Sequence, residues 1–181
     1  DYIVKAIGDN VFKNNDKIEK VTFEKNSQCE EIGNYAFGFD PETVNKEKES
    51  ELTKIEFPDS LKRIGSYAFY NNRKLPQFPE LPEGLTTIGS QAFWNAPSAK
   101  ADLLVIPETV TEIGNQAFRW CGNGKIKNVQ VNSEALNLGR QAFLLTSGTG
   151  GYIDLSAVKN LTMVEGAYND GLTRFGGASV I

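Results

Sequence analysis

Several features that mark common functional classes are missing from this chain of 181 residues. There is no histidine, which removes the usual general base, the Ser-His and Cys-His dyads and the commonest zinc ligand. The longest purely aliphatic run, Leu103 to Ile106, is far too short to cross a bilayer. A net charge of −4 and a pI near 5.0 do not supply the basic field of a nucleic-acid surface. We therefore expect no metal, no cofactor, no membrane insertion and no nucleic-acid partner.

The residues that are present suit one ordinary soluble domain, with 40% hydrophobic and 23% charged side chains. No signal peptide or lipidation motif is recognisable, and the chain opens at Asp1 rather than at a methionine. We expect a processed or trimmed product, from which any export signal has been lost upstream.

A six-residue unit of the form Ile-Gly-polar-x-Ala-Phe recurs through the chain. Its copies start at Ile7, Ile32, Ile64, Ile88, Ile113 and Leu138. The glycines of successive copies are 25, 32, 24, 25 and 25 residues apart. A period in this range is typical of stacked supersecondary units. The sequence therefore predicts one repeat domain over residues 1–181, with six clear repeats.

Each repeat predicts two short extended segments and one turn of helix. In the copy at residues 52–70, apolar residues alternate up to Phe57, and Pro58-Asp59-Ser60 supplies turn chemistry. Residues 61–64 form the second extended segment, closed by Gly65, which suggests a left-handed turn or a close backbone approach. The residue after the glycine is Asp9, Asn34, Ser66, Ser90, Asn115 or Arg140. Five of these six are good helix N-caps, so we expect the Ala-Phe pair on a single helical turn.

The phenylalanines that end the units should form a buried ladder with rungs roughly 4.8 Å apart. They are Phe12, Phe37, Phe69, Phe93, Phe118 and Phe143. We interpret them as core rather than as a cofactor stack. Cys29 and Cys121 lie three repeat steps apart, on the order of 14 Å, whereas a disulfide needs Cα atoms within about 7 Å. We expect two unpaired, mostly buried thiols.

Three stretches depart from the repeat. The 32-residue step implies an insertion within residues 38–50, whose mixed charges predict a solvated loop. Pro76, Pro79 and Pro82 predict a bulge or weakened ladder bonding, because proline cannot donate. Glycine-rich residues 146–151 favour a flexible linker. Residues 152–181 are predicted to form a degenerate seventh repeat that caps the core.

The pattern Leu52-x-x-Ile55-x-Phe57-Pro58-Asp59-Ser60-Leu61-x-x-Ile64-Gly65-x-x-Ala68-Phe69 closely resembles the BspA-type leucine-rich repeat. The resemblance implies an α/β repeat solenoid. Its coil would be right-handed, with a parallel β-sheet on the inner face and short second strands and single helical turns outside. It also implies a bacterial protein that is secreted or attached to the cell surface and adheres to host or matrix components.

Two sets of residues are candidate sites. Outward strand positions equivalent to Lys54 and Glu56 should be polar, yet Leu103 and Val105 are apolar there, and Phe78 and Tyr152 join them. Contiguous exposed apolar area signals partner binding, unless the proline-rich segment or a register slip covers it. The second set is an aromatic edge of Tyr70, Trp94 and Trp120, with Phe39 nearby. These rings either stack on a sugar or a protein partner, or pack between coils.

Three functions are compatible with such a coil. The first is an extracellular binding or adhesion module that presents its surface to a protein or glycan. The second is a passive structural spacer or stalk within a larger surface protein. The third, an enzyme, is unfavourable because no residue set converges beyond what the repeat imposes, and we name no catalytic residue.

Overall fold

The computed structural model describes residues 3–40, 42, 48–96, 103–121, 126–144, 147–163 and 179–180. The chain runs through thirteen strands in these ranges. They are β1 (Ala6–Ile7), β2 (Lys20–Val21), β3 (Glu31–Ile32), β4 (Lys54–Ile55), β5 (Arg63–Ile64), β6 (Thr87–Ile88), β7 (Leu103–Ile106), β8 (Glu112–Ile113), β9 (Ile126–Val131), β10 (Ala135–Leu138), β11 (Ser147–Asp154), β12 (Asn160–Met163) and β13 (Ser179–Val180).

A seven-stranded parallel sheet of order β1-β3-β5-β6-β8-β10-β12 joins the second extended segments of successive repeats. Each strand is displaced by one repeat from the next, so that Ile64 pairs with Ile32 on one side and with Ile88 on the other. The same register ends at Met163, which pairs with Leu138. Successive turns of chain are therefore stacked, and the fold is the expected parallel β-solenoid.

The first extended segments form two shorter sheets, β2-β4 and β13-β11-β9-β7. Residues 75–82 lie between these sheets in the chain and contain no strand, as their prolines predict. The longest sheet is thus built on the proline-free second segments and not on the first. The prediction of a flexible linker at residues 146–151 is wrong from Ser147 onward, because strand β11 begins there and pairs with β9.

The expected helical turns on the outside are also wrong, since the described part of the chain contains no α-helix. Tyr67 has a φ of 59°, which takes the chain out of the helical region. Its N–H donates to the carbonyl of Ser90 in the next coil at 2.9 Å, whereas the N–H of Ala68 closes a local turn on Gly65. Phe69 again donates to the next coil. The outer segments are chains of β-turns that bond alternately within and between coils.

Glycine is required where the coils approach most closely. A Cβ added to Gly89 would lie 2.4 Å from the amide nitrogen of Ser66 and 2.5 Å from the carbonyl carbon of Gly65. The left-handed conformation belongs instead to the residue two positions later, such as Gln91 with a φ of 54°. The sequence suggested either a left-handed turn or a close backbone approach at the glycines, and the structure confirms the close approach.

The six phenylalanines form the predicted ladder. Neighbouring ring centroids are 5.1 to 5.6 Å apart and the rings are nearly parallel. Phe69, Phe93, Phe118 and Phe143 are fully buried. Cys29 and Cys121 are free and buried, as expected. Within the predicted insertion, residues 41 and 43–47 lie outside the described residues, and so does most of the predicted cap at 152–181.

Candidate functional site

The outward surface of the β7-β9-β11 sheet carries three large apolar side chains. Across this surface, which we call the β7–β11 face, Leu103 pairs with Asn128 and Asn128 with Tyr152. Leu103, Val105 and Tyr152 are 41%, 39% and 37% exposed. The alternate residues Leu104, Ile106 and Ile153 are buried in the core. The structure therefore places three of the four predicted partner-binding residues together on one open face.

Two amides occupy the middle strand of this face. Asn128 Oδ1 accepts a hydrogen bond from the Tyr152 N–H at 3.2 Å. Gln130, which pairs with Val105, donates from Nε2 to Asn132 Oδ1 at 2.8 Å. The face thus combines an apolar border with hydrogen-bonding groups at its centre, a combination found at ligand-binding surfaces.

The prediction that Phe78 lies on the open face is wrong. Its ring packs against Phe93 and Phe118, with centroids 4.9 and 5.8 Å away, and it is half-buried. The proline-containing segment is one residue longer than its neighbours, and this turns Phe78 toward the core.

Residues 75–82 separate two grooves. One, of about 870 Å³, lies beside β4 and is lined by Lys20, Lys54 and Glu56 among others. The other, of about 500 Å³, lies beside β7 and is lined by Phe78, Leu103 and Val105, with Glu80 and Glu83. No motif in the sequence pointed directly to these grooves, since the prolines indicated only a weakened ladder.

The aromatic edge is a stack between coils. Tyr70 and Trp94 are stacked with centroids 4.6 Å apart, and Trp94 and Trp120 lie 5.2 Å apart. Arg119 covers Trp120, with its guanidinium carbon 4.9 Å from the ring centroid. Because both faces of Trp94 are covered by neighbouring rings, it has no free face for a sugar ring.

A second row of side chains runs beside this edge and was not predicted. Tyr35 stacks on Tyr67 at 4.4 Å, and Lys13 lies over the Tyr35 ring at 4.2 Å. Gln91 donates from Nε2 to the Tyr67 hydroxyl at 3.0 Å. The row follows the repeat period, so aligning the residue two positions after each glycine would have revealed it.

Burial favours the uncharged forms of two ionisable groups, Tyr70 at the aromatic edge and Cys29 in the core. Burial, with the nearby Asp40 carboxylate, raises the pKa of Tyr70 to about 12. Burial likewise raises the pKa of the Cys29 thiol, which donates to the Glu31 carbonyl at 3.5 Å. Among the described residues, no cluster of acidic or cysteine side chains is arranged to hold a metal ion. Nor does this part of the chain contain a helix with the length and apolar character needed to span a membrane.

Comparison with known proteins identifies the repeat. The family model of the BspA-type leucine-rich repeat region matches residues 2–43 and 46–162 in six copies. The chain belongs to the BspA-type leucine-rich repeat family. The match is interrupted at residues 44–45, inside the predicted insertion. Leucine-rich repeat domains generally mediate protein interactions as non-catalytic scaffolds, and this family is typically surface-attached or secreted in bacteria.

A solved structure confirms the fold. The crystal structure of a leucine-rich repeat protein from Bacteroides ovatus is 20% identical and superimposes with a TM-score of 0.54. The alignment covers 92% of this chain and 57% of that protein, so the BspA-type domain spans little more than half of its length. No curated protein matches the sequence.

Proposed function

We propose that this BspA-type domain is an extracellular binding module, secreted or held at the cell surface. It captures a protein or glycan partner, such as a host or matrix component, on the β7–β11 face. The observation that carries the proposal is the exposure of Leu103, Val105 and Tyr152 on neighbouring strands of one sheet.

The fold does not require apolar side chains at these positions. In the β2-β4 sheet, Lys54 and Glu56 occupy the positions that correspond to Leu103 and Val105, and both are exposed while the parallel ladder is kept. Leu103 and Val105 therefore expose apolar surface that a charged residue could replace without loss of pairing. Contiguous apolar area of this kind, bordered by polar groups, is a feature of interaction sites.

The β7–β11 face is a better candidate than the aromatic edge. Tyr70, Trp94 and Trp120 use their faces to bind one another and so stabilise the stacked coils. On the β7–β11 face, in contrast, the exposed parts of Leu103 and Val105 point away from the core.

The test is capture by immobilised matrix proteins and a glycan array. We expect the double variant Leu103→Lys/Val105→Lys to fold normally and to lose capture, because two desolvated apolar contacts are replaced by charges. The matched control Lys54→Ala/Glu56→Ala changes the two positions of the other sheet that correspond to Leu103 and Val105, and it should capture as the wild type does. Unchanged capture by the folded lysine variant would contradict the proposal and favour the spacer function or a site elsewhere.

A further inference from the structure

The edge of β7 that faces residues 75–82 has main-chain groups without partners. The Ile106 carbonyl accepts from the Asn132 N–H at 3.0 Å, so Ile106 and Leu104 direct their main-chain groups toward β9. Main-chain groups alternate in direction along a strand, and those of Leu103 and Val105 therefore face the groove. Strand β7 is the last in its sheet, and no described residue pairs with this edge.

Residues 75–82 cannot complete the ladder. Proline has no N–H to donate at positions 76, 79 and 82. The N–H groups of Gln77, Phe78, Glu80 and Leu81 donate to no acceptor within the described ranges. In the regular coils, by comparison, Lys62 donates to Glu30 at 2.8 Å and Thr86 to Lys62 at 2.9 Å. The groove of about 500 Å³ beside β7 thus has an unpaired strand edge on one wall.

The charge in this groove has one sign. Its lining includes Glu80 and Glu83 and no lysine or arginine. Neither carboxylate forms an ion pair within the described part of the chain. The remaining lining is mainly apolar and includes Phe78, Leu103 and Val105. A complementary ligand combines cationic and apolar groups with main-chain donors and acceptors.

We infer that this groove binds an extended peptide segment that carries lysine or arginine and adds as a strand to the Leu103–Val105 edge of β7. The inference rests on the proposed binding function and specifies its occupant. Addition of a strand to an open sheet edge gives affinity through main-chain bonds, and alternate side chains give specificity. A segment that alternates valine with lysine can direct valines to the apolar lining and lysines to Glu80 and Glu83. The groove volume lies within the range of natural ligand sites.

The first test uses a fluorescent peptide of alternating valine and lysine, titrated with the protein and followed by anisotropy. Two matched peptides separate the contributions: one has glutamate in place of lysine, and one carries N-methyl groups on alternate amides. We expect the lysine peptide to bind in preference to both. We expect N-methylation to weaken binding about tenfold, as loss of a main-chain hydrogen bond implies. Equal binding of the N-methylated peptide, or no binding of the lysine peptide, would overturn the inference.

The second test changes the edge itself. Val105→Pro removes the N–H that faces the groove and no ladder bond to β9, and proline is tolerated on an edge strand. It should weaken binding about tenfold, whereas Val105→Thr, which keeps the N–H, should stay within about threefold. Glu80→Gln/Glu83→Gln should weaken binding and reduce its dependence on salt. Unchanged binding by folded Val105→Pro contradicts strand addition, and the N-methylated peptide remains decisive if that variant does not fold.

The outcomes also separate this inference from the proposed function. A matrix partner whose capture is lost in Leu103→Lys/Val105→Lys but kept in Val105→Pro supports the binding face and rejects strand addition. Loss of capture in Val105→Pro, together with binding of the lysine peptide, supports both.

Discussion

The side chain of Asn115 accepts a hydrogen bond from the main-chain N–H of Arg140, 25 residues later, with a distance of 2.7 Å from Oδ1 to nitrogen. The same relation joins Asp9 to Asn34, Asn34 to Ser66 and Ser90 to Asn115. The residue types that cap helices elsewhere thus bind the amides of the next coil here. They connect neighbouring coils next to the repeat glycines.

Asn115→Ala tests how much these side-chain hydrogen bonds between coils contribute to stability. Removal of the acceptor leaves the Arg140 amide without its side-chain partner and should lower the free energy of unfolding by about 1 kcal/mol. Asn115→Asp keeps an acceptor oxygen at the same place and should cost less. Urea denaturation of the two variants measures the difference, and equal stability of Asn115→Ala and the wild type would show that the bond contributes nothing.

Gly89→Ala should be among the most damaging small substitutions. The added Cβ would meet main-chain atoms of Ser66 and Gly65 at 2.4 and 2.5 Å, and neither coil can move without disturbing its neighbours. We expect a loss of about 3 kcal/mol, the upper end for overpacking. Gly8→Ala is the matched control, because its nearest neighbour is Val11 Cγ2 at 3.5 Å. Thermal melts that shift equally for both variants would contradict the close-approach argument.

Truncation of the phenylalanine ladder should depend on position. Phe93 is fully buried between Phe69 and Phe118, so Phe93→Ala should cost about 3–5 kcal/mol. Phe12, at the end of the ladder, is 37% exposed and stacks on Phe37 alone among the ladder rings. Phe12→Ala should therefore cost clearly less in chemical denaturation, and a larger loss than that of Phe93→Ala would be inconsistent with a stacked core.

Tyr70 makes stability depend on pH in the alkaline range. Its pKa is about 12 in the folded protein, mainly through burial, against about 10 for an unperturbed tyrosine. Because the unfolded chain releases this proton at a lower pH than the folded protein does, the contribution of Tyr70 to the free energy of unfolding is complete below about pH 10. That contribution is lost as the pH rises toward about 12. Tyr70→Phe keeps the ring that stacks on Trp94 and should flatten this decline. An identical fall in melting temperature for both proteins would rule out this role of Tyr70.

The period of the sequence was sufficient to predict the ladder, the free cysteines and the break at the prolines, because these follow from stacking identical units. It could not distinguish a helical turn from a chain of β-turns. Ser90 suits a helix N-cap as well as it suits its observed role, in which Oγ accepts from the Asn115 N–H of the next coil. Nothing in Tyr67 or Gln91 signals a positive φ. The outcome depends on bonds to the next coil, which no single repeat contains.

The candidate site was predictable only in part. Alternation in residues 103–106 was enough to place Leu103 and Val105 on the outside. The position of Phe78 was not predictable, because one extra residue in the proline-containing segment changes its direction. The unpaired edge of β7 is a property of two neighbouring coils together, so it appears only in the assembled structure.

The proline-containing coil interrupts the ladder of first strands and leaves the β7 edge open. Amide hydrogen exchange of the unbound protein, resolved by residue, tests it most directly. We expect fast exchange at Phe78, Glu80 and Val105, and slow exchange at Gly65, Gly89 and Gly114, whose amides bond to the preceding coil. Protection of Phe78 and Val105 as strong as that of the glycine amides would contradict the claim.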